Sequence, residues 1–336
     1  MTAVRHYCTY FDHRYLPRGL ALYASMRRHC EPFRLWALCL SDEAYEFLIA
    51  LDLPGLLPMR LAELEAHDPE LLQAKSNRTP IEYYFTCSST LMAALFDLHP
   101  DIDVLTYLDS DLYFFASPEA IFAEFRDAST YIVPHNFSKR NEDLLWGGLY
   151  NVGWVSFRRD ADGLACLAWW RKSCLEWCHD YVEGDRFGDQ RYLEKFPEMF
   201  RRVAIARHPG INVAPWNLDR YRLGVDPQGA PTVDGQPIIF FHFSGLKRIS
   251  AILWRTSHRR FGAPMNRQVR GLLYAPYLAD LLAGEAMVQR RFANRVDPLG
   301  RGGTTDRRSR LYRTLRETVG AIVRGGGLWV VAQRLL

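Results

Sequence analysis

Along the first 250 residues two rhythms of apolar positions alternate. Short unbroken apolar runs read as strands buried on both faces. Longer stretches with apolar residues three and four apart read as amphipathic helices. VRHYCTYF (4–11) predicts a first strand, and DHRYLPRGLALYASMRRH (12–29) a turn leading into a helix. FRLWALCLS (33–41) is a second strand, followed by the helix DEAYEFLIALDL (42–53), with Ser41 as its cap. LLPMRLAEL (56–64) contains a short third strand, and PIEYYFTCSSTLMAALFDLHP (80–100) is a long apolar helix closed by Pro100. DVLTYLDSDLYFF (103–115) predicts a further strand, and SPEAIFAEF (117–125) a helix with Pro118 in its first turn. TYIVPH (130–135), YNVGWVSFRR (150–159), RVAIAR (202–207) and PIIFFHFSG (237–245) predict later strands. GLACLAWWRKSCLEWCHDYV (163–182) reads as a helix, and DRFGDQRYLEKFPEMF (185–200) as a loop entering one. Such alternation predicts an α/β fold around a mainly parallel sheet.

Beyond about residue 250 the pattern changes. Residues 259–295 read as helical and basic, DPLGRGGTTDRRSR (297–310) as a linker, and 311–336 as an arginine-bearing tail with an apolar end, LWVVAQRLL. We therefore divide the chain into a catalytic unit, 1–250, and a helical, Arg-rich extension, 251–336. Residues 301–336 hold eight arginines and two acids, a surplus larger than the +4 of the whole chain. This charge suits solvated helices, a contact between copies of a homo-oligomer, or attraction to anionic lipid.

A net charge of +4 over 336 residues gives no reason to expect nucleic acid as a partner. The N-terminus lacks the apolar run of a signal peptide, and no window reaches the roughly 20 apolar residues of a membrane span. The expectation is a cytoplasmic protein, touching the inner face of the membrane if its tail binds lipid. Seven cysteines form no CxxC pair. Cys174, Cys178 and His179 lie close enough in sequence to suggest a metal site, but buried free thiols are the better reading.

Two carboxylates, Asp109 and Asp111, interrupt the apolar run VLTYLDSDLYFF. In extended geometry they share a side, where they repel and are costly to bury. A divalent cation relieves both problems, and Mg²⁺ or Mn²⁺ bound by carboxylates also bridges to substrate phosphates. The alternative is a solvated, helix-capping turn. His242 ends another apolar run, followed by Ser244, Gly245 and Lys247, so an imidazole can complete the site and a lysine can face phosphate. Asn151 and Gly153 open the strand YNVGWVSFR, where glycine permits close backbone approach or marks a bulge. Asp189 and Gln190 precede a helix, Asp189 either as an N-cap or as a site residue.

Taken in order, LDSDLYFF, YNVGWVSF, GDQRYL and HFSGLK resemble the nucleotide-sugar glycosyltransferases of GT-A fold, most of all family 8, the glycogenin and lipopolysaccharide galactosyltransferase type. The resemblance covers roughly residues 4–250. It implies a GT-A catalytic domain in which Asp109, Asp111 and His242 bind Mn²⁺ or Mg²⁺ bridging a UDP diphosphate. Lys247, in the turn with Gly245, contacts phosphate; Thr9 and Tyr15 hold base and ribose; Asn151 and Gly153 lie by the donor sugar; Asp189 and Gln190 face the reacting carbon. The basic residue usual on the helix before the carboxylates is missing from EYYFTCSSTLMAAL, and Arg78 is taken in its place. Arg248 follows Lys247 where the family pattern differs.

The resemblance implies a metal-dependent hexosyltransferase of bacterial polysaccharide synthesis. Its donor is a nucleotide diphosphate sugar and its acceptor a glycan or lipid-linked glycan; the Asp-Gln pattern leans towards retention of configuration, and the alternative, inversion, would need a carboxylate as base for the acceptor hydroxyl. Trp146, Trp154, Trp216 and Tyr221 near the motifs suit sugar stacking. A sugar-nucleotide nucleotidyltransferase is disfavoured because TYFDHRYLPRG lacks a Gly-rich triphosphate loop after the first strand. A carbohydrate-binding protein with a degenerate site is the non-enzymatic alternative.

Overall fold

The computed structural model describes residues 4–250, 253–292, 327–331 and 334–335. The first strands are β1 (Arg5–Phe11), β2 (Phe33–Cys39), β3 (Leu56–Arg60), β4 (Val104–Leu108), β5 (Leu112–Phe114), β6 (Thr130–Pro134), β7 (Tyr150–Arg158) and β8 (Val203–Ile205). All but β5 form one seven-stranded sheet in the order β3-β2-β1-β4-β7-β6-β8. Its neighbours are parallel except where β7 meets β4 and β6. The mainly parallel expectation therefore holds, with one reversed strand. The chain leaves β1 towards β2 and returns on the other side of β1 as β4. At such a switch point the carboxyl ends of the strands form a crevice that open α/β sheets use for ligands.

Strand alternation divides the core into two layers. Tyr7 and Phe11 of β1 enter one layer and Cys8 the other; Leu108 of β4 joins the first, Leu105 and Tyr107 the second. Helix Leu16–His29 covers the first face through Leu16, Leu20 and Tyr23. Helix Pro80–Leu98 covers the second through Tyr83, Cys87, Leu91 and Leu95, a four-residue stripe. Each fully buried leucine contributes about 1.5–3 kcal/mol. Helix Pro80–Leu98 begins at a capping box, Thr79 with Glu82, and has proline in its first turn.

Two boundaries differ from the pattern reading. The strand expected over 103–115 is two strands, because the polar DSD step forms a turn closed by the Leu112 N–H on the Asp109 carbonyl at 3.2 Å. The short third strand expected within 56–64 is Leu56–Arg60, stopping where Glu63 accepts from the Arg60 N–H at 3.0 Å and helix Leu61–His67 begins. The helix read to residue 182 ends at Glu176.

After β8 come a small antiparallel sheet of β9 (Leu223–Val225), β10 (Pro231–Val233) and β11 (Gln236–Pro237), then β12 (Phe240–His242), β13 (Lys247–Arg248) and β14 (Leu253–Arg255). β12 pairs antiparallel with β5, and β13 with β14. Helix Ala275–Arg291 packs along helix Leu16–His29; a Cβ at Gly284 would stand 3.2 Å from the Pro17 carbonyl. Tyr277, Leu278 and Leu281 share a core with Tyr113, Phe241 and Phe243. Residue 250 thus marks a change of sequence pattern that the packing crosses. The apolar end of the tail is extended where described: β15 (Gly327–Val331) pairs with β14, and β16 (Arg334–Leu335) with β15. The rest of the basic tail, on which the membrane and oligomer readings rest, lies outside the described residues. Among the described residues no helix is long and apolar enough to cross a membrane.

Candidate active site

The register of β12 on β5 aligns His242 with Leu112 and so sets its imidazole against the DSD turn. His242 Nε2 lies 3.0 Å from Oδ1 of Asp111 and 3.6 Å from Oδ2 of Asp109. One ligand atom from each of the three falls within 4.8 Å of the others. The Tyr107 hydroxyl donates to Asp109 at 2.9 Å. Burial raises the pKa of Asp109, opposed by nearby His242 and reinforced by Asp111. Desolvation also opposes ionisation of the half-buried Asp111, but the charge and hydrogen bond of His242 outweigh it and hold its pKa below the usual value. Burial opposes protonation of His242, yet Asp111 and Asp109 together raise its pKa. Two carboxylates and an imidazole facing one point are a donor set suited to Mg²⁺ or Mn²⁺.

Gly153 shows that this geometry is specified. A Cβ there would stand 3.1 Å from the Cε1 and Nδ1 of His242, and 2.5 Å from Oδ1 of Asn151. The residue admits two protein side chains rather than a ligand, and the β6–β7 register shifts between Ile132 and Val133 beside it. The bulge alternative is seen here, and the close neighbours of Gly153 are protein side chains.

A second hydrogen-bonded group forms the adjoining wall. Asp189 is not an N-cap: its Oδ2 accepts from Ser88 Oγ at 2.7 Å, and its carbonyl accepts from Trp170 Nε1 at 2.9 Å. Burial pushes its pKa up to about 7, with Ser88 opposing and Asp109 adding to the rise. Gln190 donates to the Gly147 carbonyl at 2.7 Å and accepts from Asn151 Nδ2 at 3.2 Å. Asn151 Nδ2 also lies 3.2 Å from His135 Nε2. Burial lowers the pKa of His135 to about 3, so it is a neutral ring able to accept from Asn151. His135 and Ser88 carried no sequence signal as site residues.

Between β1 and helix Pro80–Leu98 opens a pocket of about 260 Å³. Tyr10, Tyr15, Tyr84 and Phe85 line its sides, with Asp109 and Asp111 at its end. Tyr15 therefore reaches the pocket, whereas Thr9 is fully buried in β1 and is not among its lining residues. Gly245 takes φ +74° in the turn after β12, a conformation favouring glycine. Lys247 is exposed at the start of β13.

Arg78 is used elsewhere. It bonds the carbonyls of Cys174 and Leu175 at 3.4 and 3.2 Å and lies 3.2 Å from His179 Nε2, satisfying the C-terminal end of helix Ala161–Glu176. It is therefore committed to the scaffold and does not line the pocket. His179 also pairs with Glu82 at 3.1 Å. All seven cysteines are free and buried, and among the described residues Asp109, Asp111 and His242 form the metal-competent cluster, so the Cys174–Cys178–His179 site does not form. Of the aromatic candidates, Trp154 and Trp216 are buried, Tyr221 is half-buried, and Trp146 is 49% exposed.

This site sits in a chain 31% identical over 300 residues to YfnD of Bacillus subtilis (strain 168), described as an uncharacterized protein, across 87% of this chain and 93% of that one. The chain belongs to the YfnD family. YfnF of the same organism, also described as uncharacterized, is 33% identical over 251 residues, covering 73% of this chain and 82% of its own. No family model matches the chain. Among solved structures, the WbbM bifunctional glycosyltransferase superimposes with a TM-score of 0.53 at 14% identity, across 87% of this chain and 52% of that one. That likeness concerns the fold. The architecture of this YfnD-family chain is the α/β fold of the GT-A glycosyltransferases, carrying a candidate Asp-Asp-His metal site.

Proposed function

We propose that the chain is a glycosyltransferase of family 8 type. It moves a hexose from a nucleotide diphosphate sugar, with UDP the first candidate, to a hydroxyl of a glycan or lipid-linked acceptor. The observation that carries this reading is the convergence of Asp109, Asp111 and His242 at the switch-point end of the sheet, beside an aromatic pocket. The pocket is smaller than the ~300–1,000 Å³ of a typical ligand site, a size for base and ribose with the diphosphate projecting towards the carboxylates.

A divalent cation held by Asp109, Asp111 and His242 would supply Lewis-acid stabilisation to the departing diphosphate. The protein's own part is orientation and charge. Tyr107 holds Asp109 through a hydrogen bond, and Gly153 gives His242 room to meet both aspartates. Asn151 and Gln190 are locked to each other and present one polar face to the sugar. Asp189 places a carboxylate where positive character develops on the anomeric carbon, and Ser88 holds its orientation.

A second stereochemical reading has one observation in its favour. A carboxyl group with pKa about 7 is matched to general-base work at neutral pH, which would let Asp189 activate the acceptor in an inverting reaction. The anomer first released on slow donor hydrolysis, followed by proton NMR, separates retention from inversion.

The test of the function is calorimetric titration of UDP, GDP and dTDP into wild type and Asp111→Ala, with and without Mn²⁺. Mn²⁺-dependent binding of one nucleotide, lost in the variant, is expected. Binding without donor turnover would favour a degenerate carbohydrate-binding protein. With the matching nucleoside triphosphate titrated alongside, preference for it would favour a nucleotidyltransferase.

A further inference from the structure

We propose that Arg18, in the first turn of helix Leu16–His29, is a fixed cation that binds the donor's diphosphate. This rests on reading the site as one for a nucleotide diphosphate. Arg78 is committed to the carbonyls of Cys174 and Leu175, and Arg18 would act beside Lys247.

The guanidinium of Arg18 donates to the Leu246 carbonyl at 2.8 Å, in the loop between His242 and β13. It lies over the ring of Tyr15, 4.3 Å from the centroid. Tyr15 and Asp111 both line the aromatic pocket, and the charge of Arg18 acts on the Asp111 carboxylate. Arg18 does not itself line the pocket; it stands behind Tyr15, within electrostatic reach of the Asp111 that closes the pocket's end. Among the described residues it has no carboxylate within ion-pair distance, although many arginines of the chain are so paired. One hydrogen bond to a carbonyl leaves most of its five N–H donors for an anion. A planar guanidinium fork can engage two phosphate oxygens, which a lysine cannot do.

A second observation points to a missing acceptor at the same place. Tyr277, from helix Ala275–Arg291, is fully buried, and its hydroxyl has no hydrogen-bond partner. It lies within electrostatic reach of Arg18, Asp111 and Tyr15. An unsatisfied buried hydroxyl is costly, and a phosphate oxygen is an acceptor that would relieve it.

The test uses the full-length chain as wild type, Arg18→Gln, Arg18→Lys and Tyr277→Phe. Each is titrated with the nucleoside diphosphate that wild type prefers, with the matching monophosphate, and with Mn²⁺ alone. Arg18→Gln should weaken Mn²⁺-dependent diphosphate binding about 10- to 100-fold, and Arg18→Lys by a smaller factor. Tyr277→Phe should weaken it about 3- to 10-fold. Affinity for the monophosphate and for Mn²⁺ alone should stay within about two-fold of wild type. If Arg18→Gln melts early, Arg18→Lys, which keeps the stem and the charge, carries the comparison. Unchanged diphosphate affinity, or equal losses for diphosphate and monophosphate, would overturn the assignment. Wild type that binds no nucleoside diphosphate would sink the parent reading and this inference with it.

Discussion

The hydroxyl of Ser88, in the middle of helix Pro80–Leu98, donates a 2.7 Å hydrogen bond to Oδ2 of Asp189, 101 residues away in the chain. The bond fixes a buried carboxyl group whose pKa burial pushes up to about 7. The folded state therefore holds this proton more tightly than the unfolded chain, where an aspartate titrates near 3.9. The stabilisation is complete below about pH 4 and is lost as pH rises through about 7. Asp189→Asn removes the titration while keeping an acceptor for Ser88. In metal-free buffer, raising the pH from about 5 to about 8 should cost wild type more stability than the variant, on the order of 2–4 kcal/mol. Chemical denaturation at both pH values checks this, and parallel losses in the two proteins would refute it.

Cation binding to the folded state alone should raise its stability by mass action, about 2.7 kcal/mol at 100 times the dissociation constant. Mn²⁺ should therefore raise the melting temperature of wild type, and a chelator should reverse the shift. Asp111→Asn should abolish the shift, because it removes a charged ligand and the partner of His242. A full Mn²⁺ shift in Asp111→Asn would place the ion elsewhere.

Gly153 predicts a different kind of failure. In Gly153→Ala the new methyl group meets His242 and Asn151 closer than van der Waals contact allows. One of them must move, at a cost of about 1–3 kcal/mol. Mn²⁺ affinity should fall about 10-fold or more although every ligand is retained. Unchanged affinity would mean that His242 is not held by this wall.

How much of this was legible in the sequence depended on distance along the chain. The strands β1, β2, β4 and β7 and the helix Pro80–Leu98 followed from local periodicity, because buried faces repeat every two or about 3.6 residues. Asp109, Asp111 and His242 stood out because polar groups at the ends of apolar runs need a reason to be there. Arg18 gave no such signal: one arginine among several in an amphipathic helix looks solvated until the fold brings Leu246 and Asp111 beside it. Arg78 misled for the same reason. Its partners, the carbonyls of Cys174 and Leu175, lie nearly a hundred residues on. The packing of Ala275–Arg291 on Leu16–His29 is longer in range still, and composition alone set that helix apart from the core it completes.

Trp146 carries the remaining prediction, on the acceptor side. It is exposed, braced edge-on by Phe187 at a ring distance of 5.3 Å, with exposed Leu145 beside it. The next residue, Gly147, gives its carbonyl to Gln190, so this indole is coupled to the wall that holds Asp189 and Asn151. It does not line the pocket assigned to the nucleotide. A rigid aromatic face one residue from that wall suits the apolar face of an acceptor sugar. Trp146→Ala should raise the KM for acceptor about 5- to 10-fold, the size of a moderate contact hot spot. Nucleotide affinity with Mn²⁺ and slow donor hydrolysis should stay at wild-type levels, since neither needs the acceptor. The melting temperature should change little, because the side chain is half exposed. If donor hydrolysis falls in step with transfer, Trp146 acts on the donor side and the acceptor runs along another face.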